Sequence, residues 1–477
     1  MIKKIKIILL SSIVLLVSCT KDLTELNDDS KSPKDVPATS LFTNAQRNLA
    51  TTLASANVNL NTFRLFVQHW QQTTYVSESR YQLNTRGIPD NLWTSFYRDV
   101  LRDLVEARAL VNTQTTDAKT KKNQLAQIDI MEIYTYYYLI SIFGDVPYTE
   151  AMQVDAKTFP KYDDARTIYN DLLTRLDGAI AALDPTGGSF GTSDVIYNGN
   201  VAKWKKFAAS IKLKMGMTIA DVDNSRAKTV VESAVSTGVF TSNADNALFV
   251  FAPAPPNTNP VWVDLVQSGR RDFVAGSTLV DIMNDLDDPR RPLYFTVDAA
   301  GEYSGGSPGR SSNYGTFSKP HEKITTPQYP HTLLDYSEVE FLLAEAVERG
   351  YAVGGTAMQH YNNAITASVL YWGGTTADAV NYLAQPEVNY ATAAGDWREK
   401  IGVQKWIALY NRGIDAWIEW KRLDAPELSP AFRAVSAIPV RLTYPINEQN
   451  YNTANYNQAA SAIGGDRVTT KVFWDVR

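Results

Sequence analysis

Residues 335–350, DYSEVEFLLAEAVERG, decide the fold. Asp335 can cap a helix, and Glu338 three positions later completes a box of the capping type. Val339, Leu342, Leu343 and Ala346 then recur at helical spacing as an inner face, and Gly350 is the natural exit. An apolar stripe of this kind needs a neighbour to cover it, and Thr356 to Tyr371 packs as its partner.

The same grammar extends in both directions. Downstream, a further helical pair spans about Asp396 to Tyr410 and Ile414 to Trp420, and the tail from Arg433 to Arg477 is mostly irregular. Upstream, helices are expected from Leu41 to Ala56, after Pro89 through Leu92, Phe96, Val100, Leu104 and Leu110, and from about Asn123 to Phe143. The last of these carries Tyr134, Tyr136, Tyr137 and Tyr138, which cannot share one face, so that helix is expected to be buried on more than one side. Asp163 to Leu183 is the clearest amphipathic helix, stopped by Asp184-Pro185-Thr186-Gly187-Gly188. Val201 to Ile219 and Asn224 to Ser236 follow. Modest loops between successive helices suggest antiparallel neighbours, the layout of a helical-repeat body. No period of about 34 residues is visible in the letters, so any repeat is structural and degenerate.

The pattern breaks between about Thr241 and Tyr329, where Pro253, Pro255, Pro256 and Pro260 interrupt the chain. Short strands are expected at Ala247 to Phe251 and Leu293 to Val297, with one helix from Ser277 to Leu286. Residues 301–315, GEYSGGSPGRSSNYG, form a Gly/Ser loop that cannot bury much by itself. A long irregular insertion in a helical protein is usually a binding surface or floppy, and Tyr303 and Tyr314 favour binding here.

Composition bounds the function. The chain has 46 basic and 51 acidic residues, well mixed, for a net charge of −5, which argues against nucleic acid as a partner. Hydrophobic residues make up 44%, enough for a sizeable core. Much of the aromatic load of 25 Tyr, 17 Phe and 10 Trp must be core packing, but tyrosine and tryptophan also offer an apolar face with a polar edge that suits sugar rings or a large partner protein. Residues 1–22, MIKKIKIILLSSIVLLVSCTKD, combine a basic head with an apolar run from Ile7 to Val17, too short to span a bilayer of roughly 30 Å but suited to an export signal. Leu16-Val17-Ser18-Cys19 resembles the lipobox of bacterial lipoproteins, with Cys19, the only cysteine, as the acylated residue. Residues 1–18 are thus expected to be a lipoprotein signal peptide, 19–37 an acylated polar tether, and 38–477 a single helical domain with a loop-rich insert at about 241–330. The cysteine count leaves no internal disulfide.

Several segments together resemble the SusD/RagB family of outer-membrane nutrient-binding lipoproteins. These are the lipobox and CTKDLTELND after it, FGDVPYTE at 143–150, LDDPRRPLYF at 286–295, YSEVEFLLAEAVERG at 336–350, IGVQKWIALYNRGIDAWIEWKRLDAPEL at 401–428, and the closing PVRLTYPINEQNYNTANY and TTKVFWD. Gln404-Lys405-Trp406 and Arg422 to Pro426 are similar to a second, SusD-like subgroup. The resemblance implies a mostly α fold: tetratricopeptide-like helix pairs in a right-handed superhelical scaffold, with an irregular, loop-rich ligand face. It also implies a cell-surface lipoprotein that binds glycans or other oligomeric nutrients without cleaving them and delivers them to a SusC-like TonB-dependent transporter. The alternative is a membrane-anchored hydrolase, glycosidase or peptidase, acting on the same nutrients.

Motifs for that alternative are thin. Gly305-Gly306-Ser307-Pro308-Gly309 fits G-x-S-x-G by letter, but a nucleophile elbow needs a strand before the serine and a helix after it. His69, His321, His331 and His360 form no zinc-helix pattern, and no P-loop or dinucleotide fingerprint is present. Asp287-Asp288 beside Arg290-Arg291 reads as a helix end with local ion pairs; the alternative reading is a structural calcium held by these or loop carboxylates, and no other cofactor is expected. The binding candidates are aromatics outside clean helical stripes: Trp70, Tyr75, Tyr81, Trp93, Trp262, Tyr303 and Tyr314.

Overall fold

Asp335 caps the central helix as its sequence predicts: its carboxylate accepts the Glu338 N–H at 2.8 Å, and the helix runs Tyr336–Glu348. A computed structural model describes residues 36–153 and 156–477 of the chain. The expected signal, Cys19 and the tether up to residue 35 lie outside the described residues.

Ala38–Arg477 forms one compact unit. Helices pack as antiparallel pairs: Ala38–Ala54 with Arg102–Gln114, Ala118–Phe143 with Ala165–Ala182, Val201–Thr218 with Asn224–Thr237, Tyr336–Glu348 with Ala357–Trp372, and Trp397–Ala408 with Gly413–Leu423. Pairs then stack on one another, Ala165–Ala182 against Val201–Thr218, that helix against Tyr336–Glu348, and Tyr336–Glu348 against Trp397–Ala408. This is the expected tetratricopeptide-like arrangement, mostly α, with no closed sheet among the described residues. Asp117, Asp164, Asn200, Asp223, Thr356 and Asp396 each cap their helix with a side-chain oxygen, which explains why its start is legible in the sequence.

The half of the Ala118–Phe143 helix that carries the tyrosines is enclosed on all sides. Tyr134, Tyr136, Tyr137 and Tyr138 are buried, and three of their hydroxyls find partners: Tyr134 donates to Leu333 O, Tyr137 pairs with Thr218 at 3.1 Å, and Tyr138 donates to Asp415 at 3.0 Å.

Between the pairs runs a buried ionic seam. Lys214 meets Glu338 at 2.8 Å and Asp415 at 2.5 Å; Arg412 meets Glu338 at 2.6 Å and Asp415 at 3.1 Å. One turn on, Glu419 accepts from Arg422 at 2.6 Å and Lys405 at 2.7 Å, while Arg422 also clasps Glu345. Glu338 therefore does not close a capping box; its carboxylate is committed to Lys214 on the Val201–Thr218 helix and to Arg412 at the start of the Gly413–Leu423 helix. Burial alone would raise the Glu345 and Glu419 carboxyls, but Arg422, with Arg349 and Lys405, outweighs it and holds both below the ordinary range. A carboxyl with a depressed folded pKa contributes stability above its unfolded value, about 4, that is lost as pH falls through the folded value. Unfolding midpoints followed by circular dichroism should accordingly stay level from pH 8 to 5 and fall steeply below about pH 4; midpoints that hold at pH 3 would contradict the seam.

The structure amends the sequence expectations at three places. Leu293 to Val297 is not a strand: Arg291–Tyr294 makes a helical turn with Pro292 near its start, Tyr294 stacks on Tyr410 at 4.2 Å, and only Phe295 bridges to Pro320. The tail is mostly irregular as expected, but Ile446–Tyr451 and Thr453–Ala462 within it are helical. The first of these is capped from afar, with the Asp90 carboxylate accepting the Ile446 and Asn447 N–H groups at 3.1 and 3.0 Å. A helix at Thr376–Leu383 is an addition to the expected set, although Thr375 and Asp378 form a full capping box.

The insert joins the body through two small antiparallel sheets. Trp70–Gln72 pairs with Phe273–Ala275, and Ala247–Phe249 pairs with His331–Leu334.

Candidate functional site

The Trp70–Gln72 strand organises the loop-rich face. Gln71 accepts the Gly309 N–H at 3.1 Å and donates to Arg310 O at 2.7 Å. Thr73 follows directly; its N–H donates to Asp272 O at 2.9 Å and its hydroxyl to Arg271 O at 2.6 Å, while its carbonyl accepts from the Ser311 hydroxyl at 2.6 Å and the Ser312 N–H at 2.9 Å. The Gly/Ser loop is thus fastened mainly through its backbone at Gly309, Arg310 and Ser312, with the Ser311 hydroxyl adding a side-chain bond.

Next to this scaffold lies a cleft of about 120 Å³ whose walls include Asn57, Asn59, Arg86, Asp264, Arg270 and Asp272. Arg270 pairs with Asp272 at 2.5 Å, and Arg86 with the buried Glu78 at 2.6 Å. Asp264 is pushed up to about 6, first by burial and then by Asp272, against the pull of Arg64 and Arg270. Amide, guanidinium and carboxyl groups converge there, a set able to donate to and accept from hydroxyls or acetamides.

The seven aromatic candidates separate by exposure. Tyr75 is 65% exposed and close enough to Arg270 to act on its charge. Trp262 is half-buried at the start of the turn that carries Asp264, and Tyr314 is half-buried with Arg271 and Lys319 at 5.5 and 5.4 Å from its ring centre. Tyr303 is half-buried farther along the same loop, with the Arg291 guanidinium 5.0 Å from its ring. The remaining three offer no free ring face. Trp70, only 2% exposed, donates its indole N–H to Tyr410 and lies under Arg64. Tyr81 is buried with its hydroxyl accepting the Ala431 N–H at 3.1 Å. Trp93, 8% exposed, is enclosed by Tyr97, Phe143, Tyr162 and Tyr444.

Sequence reasoning missed Asn57, Asn59, Arg86, Arg270 and Asp264, and also Phe432, which is 38% exposed with Arg310 stacked 3.6 Å above its ring. The run Gly269-Arg270-Arg271-Asp272 was the one local signal, two adjacent arginines beside a glycine turn. A larger hollow of about 380 Å³, walled by Tyr361, Glu387, Thr392, Glu399, Lys400 and Gln404 among others, has no exposed ring. It is a poorer sugar site than the smaller cleft for that reason.

The residues weighed for other chemistry have plain placements. Ser307 lies in the loop with no strand before it or helix after it, so the elbow geometry does not form. Both Asp288 oxygens are taken by Arg290, at 2.9 and 2.6 Å, while Asp287 points to solvent near Arg291. Among the described residues no three His, Cys, Asp or Glu side chains come together as a metal site. His69 and His331 are buried, and burial holds His69 down to about 3; His321 caps the turn at Lys323, and His360 pairs with Glu340 at 2.7 Å.

A family model described as "Starch-binding associating with outer membrane" matches residues 30–445. Among solved structures, one described as a chitin-binding protein is 28% identical, with a TM-score of 0.79 over 92% of this chain and 100% of that one. A SusD homolog from Bacteroides thetaiotaomicron is 25% identical, with a TM-score of 0.78 over 93% and 100%. A chitin-binding SusD homolog from Flavobacterium johnsoniae shares the fold at 24% identity, with a TM-score of 0.79 over 92% and 99%. No curated protein matches the chain.

Proposed function

The chain belongs to the SusD-like family of outer-membrane proteins, and from that premise we propose that it captures an oligosaccharide on the face bearing Tyr75, Trp262 and Tyr314 and passes it to a SusC-like TonB-dependent transporter. Family members are surface-exposed, non-catalytic proteins that generally bind glycans and pair with SusC-type transporters. The hydrolase alternative is therefore set aside. Acylation at Cys19 would anchor the chain, and residues 19–37 would serve as the tether that lifts the helical domain 38–477 off the membrane.

One observation carries the reading: an exposed tyrosine and a half-buried one lie beside a cleft walled by amides, arginines and carboxyls. A sugar ring stacks its C–H face on such a platform at low entropy cost, while its hydroxyls bond to the cleft walls. Tyr303 stays in the proposed set as an outlying contact. Trp70, Tyr81 and Trp93 would act only by supporting the face, because their rings are enclosed.

Calorimetric titration against starch and chitin oligosaccharides, with product analysis in the same samples, tests this. The 28% identical structure described as chitin-binding makes chitin oligosaccharides a direct choice. Tyr75→Ala and Tyr314→Ala should each weaken the ligand that binds by roughly tenfold, about 1.4 kcal/mol, without moving the melting temperature. Unchanged affinity in both variants would place the site elsewhere, and cleavage products would overturn the capture role.

A further inference from the structure

We propose that the glycan captured on this face is acidic, bearing carboxylate or sulfate groups, and that it lies along a strip in which cations alternate with aromatic rings. This rests on the glycan-capture reading and narrows its substrate class. The strip runs Lys319, Tyr314, Arg271, Arg310, Phe432 and Arg433. Lys319 and Arg271 converge on the Tyr314 ring, at 5.4 and 5.5 Å from its centre. Arg310 and Arg433 converge on the Phe432 ring, at 3.6 and 5.3 Å.

The two halves are held together by backbone. Thr73 bonds Arg271 O on one side and receives Ser311 and Ser312 on the other, so Arg271 and Arg310 flank the same residue. The Phe432 N–H donates to Pro308 O at 2.9 Å, and Gly309 lies so close that a Cβ there would come within 2.5 Å of Phe432 O. The rings and cations therefore sit on a fixed platform.

The charges are the unexpected part. The chain as a whole is acidic at −5, and its buried arginines Arg290, Arg412, Arg422 and Arg441 are each paired with carboxylates. Among the described residues Lys319, Arg271, Arg310 and Arg433 form no ion pair; the nearby Asp272 is engaged by Arg270. Like charges gathered on two rings repel one another unless an anion is brought in, and aromatic contact holds a guanidinium flat with its N–H fork free at the edge. That fork matches a carboxylate or sulfate in two-point fashion, while the ring faces supply sugar stacking. A neutral glycan would use the rings and leave four cations unanswered.

The test uses the full chain in detergent, titrated with oligogalacturonate, its methyl-esterified neutral counterpart, a heparin fragment, starch and chitin oligosaccharides, and vesicles containing an anionic phospholipid. Oligogalacturonate or a sulfated oligosaccharide such as a heparin fragment should bind at least tenfold more tightly than any neutral ligand. That preference should shrink as salt rises from 0.05 to 0.5 M, because exposed charges are screened within roughly 3 Å at 1 M and 10 Å at 0.1 M. The triple variant Arg271→Gln, Arg310→Gln, Lys319→Gln should lose the acidic ligand by about thirtyfold or more, whereas Lys122→Gln, exposed on the Ala118–Phe143 helix, should not. Equal or tighter binding of neutral glycans, or an undiminished triple variant, overturns the acidic assignment and leaves glycan capture standing. Binding to anionic vesicles but to no glycan overturns it in favour of a membrane-facing strip. Binding to none of these ligands overturns both readings.

Discussion

Glu419→Ala is expected to lower the free energy of unfolding by about 3–5 kcal/mol, because it strands a buried charge. Glu419 is the only ion-pair partner of Lys405 among the described residues, and both side chains are buried. Arg422 would keep Glu345, so its loss is partial, but the Lys405 ammonium would be left in the core without an ion-pair partner. Burial already holds the Lys405 pKa below its ordinary value even with Glu419 present. Removing the carboxylate depresses it further, so the unfolded chain binds a proton that the folded chain does not, and stability must rise with pH across that interval. Urea midpoints should therefore show the largest deficit near pH 6 and a smaller one near pH 9. The double variant Glu419→Leu, Lys405→Met removes both charges and should recover much of the loss, since a buried ion pair contributes little beyond an apolar pair of similar volume. If Glu419→Ala unfolds like the natural chain, or if its deficit is independent of pH, the seam does not carry charge as described.

The seam is invisible in the letters for a physical reason. Lys214, Glu338, Arg412 and Asp415 each look like the polar side of an amphipathic helix, and their pairing spans separations of up to 201 residues. Even Glu338 reads as a capping-box residue, because three-residue spacing from Asp335 is a local signal and a contact with Arg412 is not. Local signals are legible for the same reason. Capping residues, the stop at Asp184-Pro185 and the apolar stripe from Ile168 to Ile180 act within a few residues, and the helices they bound are the ones observed. Trp93 shows the limit on the ligand face: in the sequence it reads as a platform because it stands outside a clean stripe. The rings that bury it, Tyr162 and Tyr444, come from segments about 70 and 350 residues away, the second in a tail expected to be irregular. The cation strip is hidden likewise, since Phe432 reaches Arg310 across a chain separation that no periodicity records.

The second large effect joins fold to function at one glycine. Gly276 has an ordinary negative φ, so conformational freedom is not what it supplies. It supplies room: a Cβ there would lie 2.1 Å from Gln68 O and 2.9 Å from Gln68 C, both backbone atoms that cannot rotate away. Its N–H donates to His69 O at 3.0 Å, Ala275 beside it pairs with Trp70, and the neighbouring Ser277 N–H holds Gly306 O at 3.0 Å. Gly276→Ala must push residues 68–69 aside, and with them Gln71 and Thr73, which hold the 301–315 loop. Overpacking against backbone costs about 1–3 kcal/mol or more, so a clear drop in melting temperature is expected. The sharper readout is binding at temperatures where the variant is still folded: glycan affinity should fall at least tenfold, because Tyr314 and Arg310 lose their placement. Gly178→Ala is the matched contrast. Gly178 is exposed within the Ala165–Ala182 helix, and a methyl added there would meet nothing within 4 Å, so alanine should stabilise by about 0.5–1 kcal/mol and leave binding alone. A Gly276→Ala protein that melts lower yet binds normally would show that the loop face does not depend on the Trp70–Gln72 strand for its shape.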